Sequence, residues 1–275
     1  NKIYDEMIDF AKYAFNKSHA AAYAVVSYQT AWLKYYFPVE YMAALMTSVI
    51  DNPSKVSEYI YACRQMNIKI LPPDINKGEA NFSVDGGDIR YGLAAIKSIG
   101  RPVIKAIVED REELGLFQNL EDFITRLSAK NILNKRTIEN LIKAGACDSL
   151  DGTRKQMTMV YASIVDQVVH QKKNTMSGQM SLFDLVSEED KKDYEVQYPN
   201  VGEFDKEMLL GFEKEVLGIY LSGHPLEEYM DKMKKSVTAN ALDFIREEET
   251  GAVKVQDNAH VIVGGIITAK TVKFT

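Results

Sequence analysis

The stretch from Tyr91 to Leu150 constrains this chain most, because glycines in it stop apolar helical patterns at two corresponding places. Leu93 and Ile96 suit the buried side of a short helix, which Ser98-Ile99-Gly100 then breaks. Gly100 is expected to carry the backbone conformation that side chains resist. Pro102 suits the first turn of a new helix, where its missing N–H costs nothing, and Val103, Ile104 and Ile107 continue at helical spacing. The pattern predicts two helices joined by a tight turn, with the amides of the turn and of the helix start facing outward. Such amides bind phosphate, and Lys97, Arg101 and Lys105 flank them with positive charge. A glycine closing a short helix also reads as an ordinary C-cap.

A weaker copy follows in Leu133–Cys147. Its helix turns Ile138, Leu141 and Ile142 inward and ends at Ala144-Gly145-Ala146. Asn119 to Leu127 reads as the helix connecting the copies. Together they resemble the tandem helix-hairpin-helix module, which grips the backbone of duplex DNA without reading bases. That resemblance implies duplex contacts at Lys97, Ser98, Ile99, Gly100, Arg101 and Lys105, with Gly145 in the second copy. The chain departs from the module's Gly-hydrophobic-Gly turn. Ser98 stands where the first glycine belongs, and the second copy keeps only Gly145, which favours a structural role there.

Before this stretch the chain reads as helix. Ile3, Met7, Phe10, Ala11 and Ala14 share one face of a first helix. Ser18 is the expected N-cap of a second, running to about Tyr36, with Lys17 and His19 at a start that favours an anion. Tyr23, Tyr28, Trp32, Tyr35, Tyr36 and Phe37 are expected in the core. Pro38 opens a third helix, and Ser54 to Asn67 forms a fourth. Ile68 to Leu71 is a predicted strand, and Phe82–Val84 and Ile89–Tyr91 flank the hairpin turn Asp85-Gly-Gly-Asp88.

The segments Phe15-Asn-Lys-Ser-His-Ala-Ala-Ala-Tyr23, Ser27-Tyr-Gln-Thr-Ala-Trp-Leu-Lys34, Leu71-Pro-Pro-Asp-Ile-Asn76, Tyr91-Gly-Leu-Ala-Ala-Ile-Lys97 and Leu141-Ile-Lys-Ala-Gly-Ala146 occur in this order. In combination they resemble the C-family of bacterial replicative DNA polymerases over essentially the whole chain. The resemblance implies a mainly α fold: a helical end of the fingers domain (1–70), a short β connector (71–91), the tandem module (92–170), a linker (171–203), a helical connector (204–258) and the first strands of a truncated OB-fold (259–275). It implies that Asn16, Lys17, Ser18 and His19 face the incoming nucleotide and template. The family's catalytic aspartates and their Mg2+ belong to the palm, N-terminal to this segment. The chain is therefore expected to lack polymerase activity alone and to hold no cofactor.

Within the linker, Gln179-Met180-Ser181-Leu182-Phe183 resembles the family's internal sliding-clamp-binding motif. An extended peptide can seat Leu182 and Phe183 in an apolar pocket while Gln179 anchors by hydrogen bonds. Docking of Leu182, Phe183 and Leu185 on the chain's own surface is the alternative. Beyond an acidic run, Phe204–Tyr220 predicts a helix with Met208, Leu209, Phe212, Val216 and Leu217 inward. Leu221–Leu226 is a turn, and His224 within it has no triad partner. Short helices are expected at Leu226–Met233 and Ala239–Arg246, and a strand at His260–Ala269. In the family this strand opens the OB-fold that binds single-stranded template.

Composition excludes little more. Of 275 residues, 46% are hydrophobic and 26% charged, which suits a globular protein of more than one domain. No apolar run is long enough to cross a membrane, and the expected setting is the cytoplasm. The first residue, Asn1, and an end in mid-strand read as a piece of a longer chain. Cys63 and Cys147 are expected as reduced core thiols. The partners implied are duplex DNA, the sliding clamp, single-stranded DNA and other replisome subunits. A net charge of −6 equally suits a helical scaffold that binds protein, since DNA binding then rests on a local basic patch.

Overall fold

The structure is a computed structural model that describes residues 2–13, 17–132, 134–176, 197–246, 252–267 and 270–272, the side chains of 9–13, 173–176 and 242 aside. Four helices come first: α1 (Lys2–Tyr13), α2 (Lys17–Tyr36), α3 (Pro38–Ser48) and α4 (Pro53–Gln65). Proline at the first position starts both α3 and α4, and the Asn52 side chain caps α4 by accepting from the Lys55 amide. Met42 and Met46 of α3 and Val56, Ile60 and Cys63 of α4 form the near side of the core.

Three short strands follow: β1 (Ile70–Leu71), β2 (Ser83–Asp85) and β3 (Asp88–Arg90). β3 lies in the middle, antiparallel to β2 and parallel to β1. Gly86 and Gly87 take φ of +62° and +96° in the turn, as a two-residue hairpin requires. A 3-10 turn at Leu93–Ala95 then leads into α5 (Arg101–Leu114), α6 (Leu120–Ala129), α7 (Lys135–Lys143) and α8 (Arg154–Met176). Buried Asp110 on α5 is paired by Arg126 of α6 and by Lys130 at 3.3 Å, which fixes α5 on its neighbour. The chain resumes with α9 (Lys206–Val216) and α10 (Met230–Ser236). One apolar cluster runs from Met42 to Leu221, through Leu93, Ile104, Ile107, Phe123, Ile138, Leu141 and Ile164. Each such side chain contributes roughly 1.5–3 kcal/mol by burial.

The mainly helical class and the small sheet are as expected, and four details differ. The aromatic row of α2 is not core: Tyr23, Tyr28, Trp32, Tyr35, Tyr36 and Phe37 are all exposed, because α2 packs on α3 and buries none of its own residues. Ser18 lies inside α2, which begins at Lys17, so it is not the residue before the helix. On α9 the inward residues are Leu210, Glu213 and Val216, while Met208 is exposed. The strand expected from His260 is absent among the described residues. The segment there is held at Ile262, whose carbonyl accepts from the Thr238 and Ala239 amides at 2.9 and 3.3 Å and whose amide donates to Thr238 Oγ1 at 2.8 Å, and Gly264 lies against Met233 and Val237. Ile262, Val263, Ile266 and Ile267 are left exposed.

Candidate nucleic-acid interface

The first hairpin is built from the core outward. Leu93, Ile96 and Ile99 are buried, as are Ile104 and Ile107 beneath α5, so the turn between them is pinned at the surface. Lys97 is held on both sides: its amide donates to the Val216 carbonyl at 2.8 Å, and its own carbonyl accepts from Asn140 Nδ2 at 2.8 Å. The residue with left-handed backbone is Ser98, at φ +64°, and not Gly100, which is extended at φ −75° and ψ 145°. Turn geometry places the positive φ where the related motif carries its first glycine. Ser98 accepts that strain, and Gly100 becomes the N-cap of α5.

That N-cap offers no side-chain oxygen to the helix. The Gly100 carbonyl accepts from Val103 and Ile104, at 3.0 and 3.3 Å, but among the described residues the amides of Gly100 and Arg101 have no acceptor. Pro102 has no amide to satisfy, and a methyl placed on Gly100 would meet only Pro102 Cδ, at 3.6 Å. The space before these amides is therefore open. The first turn of α5 carries Arg101 and no acidic residue, an arrangement the helix dipole disfavours unless an anion is present. Arg101 is exposed and has no ion pair among the described residues. Lys105 meets Glu109 at 3.5 Å on the exposed face, a contact too weak to withhold it from a phosphate. The Lys97 ammonium donates to the Glu215 carbonyl at 2.8 Å, so its charge stays beside the turn.

The second hairpin has the same outline and is closed. Gly145 takes φ +79° but is buried, and a Cβ there would lie 2.1 Å from Arg154 Nη2. Arg154 is bidentate on Asp148, at 2.8 and 2.6 Å. The amides of Arg154 and Lys155 at the start of α8 donate to the two oxygens of Glu203, at 2.8 and 3.1 Å. A carboxylate of the chain thus sits where a phosphate would, and Gly145 is out of a strand's reach.

Two further cations, from the Leu-Asn-Lys-Arg run that opens the second copy, share a cleft with the open hairpin. Lys135 and Arg136, at the start of α7, line a cleft of about 470 Å3 with Lys97 and Ser98; Glu139 and Glu215 share that lining, and the Lys135 ammonium is paired with Asp166 at 2.6 Å. Their signal is the Lys-Arg pair in a helix's first turn. Lys17, Ser18 and His19 occupy the exposed first turn of α2, with the His19 ring 4.5 Å from Tyr23, and they line no cleft with the hairpin among those described. Asn16 and the Gln179, Met180, Ser181, Leu182 and Phe183 peptide lie outside the described residues. His224 is a turn residue, its Nδ1 accepting from the Leu226 amide at 3.1 Å. Buried Glu213 holds the same turn through the amides of Leu221 and Ser222, at 2.7 and 3.0 Å. No described helix is long and apolar enough to cross a membrane.

These features are those of a helix-hairpin-helix segment, and residues 67–157 match the family model described as a helix-hairpin-helix motif. Over nearly its whole length the chain is homologous to bacterial DNA polymerase III subunit alpha. It is 40% identical to that of Vibrio cholerae over 270 residues, covering 98% of this chain and 22% of the relative. To that of Mycobacterium tuberculosis it is 39% identical over 271 residues, covering 97% and 22%. To that of Escherichia coli K12 it is 38% identical over 275 residues, covering 100% and 23%. The chain thus spans less than a quarter of the length of the curated relatives it matches.

Proposed function

We propose that this chain is the DNA-holding segment of a bacterial replicative polymerase, and that the first hairpin alone grips duplex phosphates. The observation that carries this is the uncapped start of α5: two unpaired amides with Arg101 beside them and no carboxylate in the first turn. A phosphate oxygen there accepts from both amides and neutralises the cation at the helix start. Ser98 and the Ile99 backbone shape the turn, and Lys97 and Lys105 add long-range attraction. Gly145 keeps a structural role. Polymerase chemistry belongs to the palm of the longer protein, with its magnesium ions.

In this reading residues 1–70 end the fingers, where Asn16, Lys17, Ser18 and His19 face nucleotide and template. Gln179 to Phe183 tethers the enzyme to the sliding clamp, which raises the effective concentration of DNA at the hairpin. Residues 259–275 begin the OB-fold toward single-stranded DNA. Fluorescence anisotropy with random-sequence duplex tests the central claim. Lys97→Ala with Arg101→Ala should reduce the slope of log K against log salt by about 1.8, at about 0.9 for each phosphate no longer neutralised. An unaltered slope refutes hairpin gripping and leaves the protein-binding scaffold, which the exposed aromatic row of α2 favours. Leu182→Ala with Phe183→Ala should abolish capture of the chain by immobilised clamp, and retained capture sinks the tether.

A further inference from the structure

A second cleft, of about 540 Å3, opens between α4 and the turn that follows α9. Its lining includes Arg64, Lys214, Tyr61, Tyr220 and Ser57, and no Asp or Glu among the described residues. The adjoining carboxylate, Glu227, accepts from the amide of the lining residue His224 at 3.0 Å and is neutralised by Lys206 at 2.8 Å, so the cleft keeps an excess of positive charge. Arg64 is exposed and has no ion pair among the described residues. The Lys214 ammonium is fixed in place by the Gly218 carbonyl at 2.9 Å, an acceptor that leaves its charge intact, and lies 5.3 Å from the centre of the Tyr220 ring. Tyr61 is 60% exposed and offers an aromatic surface. Pro53 lines both this cleft and the groove beside Ser98 and Gly100, so the two open on a common ridge. Gly218 closes on that ridge: a Cβ there would lie 3.1 Å from Pro53.

We propose that this cleft takes a single strand of nucleic acid, its phosphates on Arg64 and Lys214 and a base against Tyr61 or Tyr220. Cations with interleaved aromatic faces are the requirements of sequence-tolerant single-strand binding. The volume is that of a small-ligand site, enough for one nucleotide unit of a strand that continues into solvent. The neighbouring cleft at Lys135 and Arg136 has two carboxylates, Glu139 and Glu215, in its lining itself. The proposal rests on the hairpin reading for its class of ligand and assigns a different strand state to a different place.

The test is anisotropy of a labelled dT oligonucleotide with the 275-residue chain across a salt series. Arg64→Ala with Lys214→Ala should raise the single-strand Kd about tenfold and lower the salt slope by about 1.4, at about 0.7 per phosphate on a single strand. Arg64→Lys should keep most of the slope, and Tyr61→Ala should weaken binding with the slope unchanged. Circular dichroism of each variant separates lost binding from lost fold. The proposal fails if the unsubstituted chain does not bind dT, if the double variant binds it unchanged, or if polyglutamate of equal charge loses binding in that variant while dT does not. Lys97→Ala with Arg101→Ala is measured on duplex in parallel. Unchanged duplex binding there, with single-strand binding lost in the cleft variant, refutes the hairpin and keeps the cleft. The opposite pair of results refutes the cleft alone.

Discussion

The two hairpin glycines do opposite work, and replacing each by alanine separates stability from binding. At Gly145 the backbone is left-handed, φ +79°, which costs an alanine about 1–2 kcal/mol. The new methyl would also lie 2.1 Å from Arg154 Nη2 and 3.0 Å from Asp148 Oδ2, so the guanidinium has to leave. Its pair with Asp148 is half-exposed on the acidic side, and losing it adds about 1 kcal/mol. Reduced freedom of the unfolded chain returns about 0.4–1 kcal/mol. Gly145→Ala should therefore cost about 2 kcal/mol and leave duplex affinity alone. Gly100→Ala meets only Pro102 Cδ, at 3.6 Å, and an ordinary φ of −75°. Its stability should stay within about 0.5 kcal/mol, since the capping change and the entropy gain nearly cancel. Its methyl stands before the open amides, so duplex binding should weaken. Urea unfolding read by linear extrapolation gives both stabilities, and anisotropy gives the affinities. Equal losses for the two variants, or a loss under about 0.5 kcal/mol at Gly145, would refute the division into one open and one closed hairpin.

Other outcomes follow from individual side chains. Glu213→Ala strands the buried Leu221 amide and the half-buried Ser222 amide and should cost about 2 kcal/mol in thermal or urea unfolding. Both amides donate to the same oxygen, Glu213 Oε2, so Glu213→Gln keeps that acceptor and should recover most of the loss. Ser98→Gly relieves the φ of +64° and should raise stability by up to about 1 kcal/mol while leaving duplex affinity in place. Burial pushes the Cys63 thiol up to about 11, with Lys34 pulling the other way. The unfolded thiol ionises first, so stability should hold below about pH 9 and fall by about 3 kcal/mol as the pH climbs to about 11. Cys63→Ala removes that share of the slope, and urea midpoints measured from about pH 8 to about 11 check it.

Much of the architecture is written in local pattern. Proline at the starts of α3 and α4, Asn119 before α6 and the Gly-Gly turn between β2 and β3 act over a few residues, so periodicity and caps place these elements well. The turn at Ser98–Gly100 is legible for the same reason. Which of its residues takes positive φ is not, because the side chain present at 98 argues against that conformation, and tertiary contacts fix it: the packing of Ile96 and Ile99 and the hydrogen bonds of the Lys97 backbone to Val216 and Asn140. The aromatic row of α2 misleads in the other direction, since hydrophobicity names surfaces that can be buried and does not supply the surface that buries them.

By itself the sequence determined the helical class, the paired hairpins and the cations beside the first. Tertiary structure alone decided that one hairpin is open and the other shut. Glu203 stands 49 residues beyond Arg154 in the chain, yet its carboxylate closes the start of α8, and Arg154 covers Gly145. No local pattern encodes an interaction of that separation. The amides of α5 remain open because no carboxylate among the described residues comes back to them, and that is a property of the folded chain as a whole.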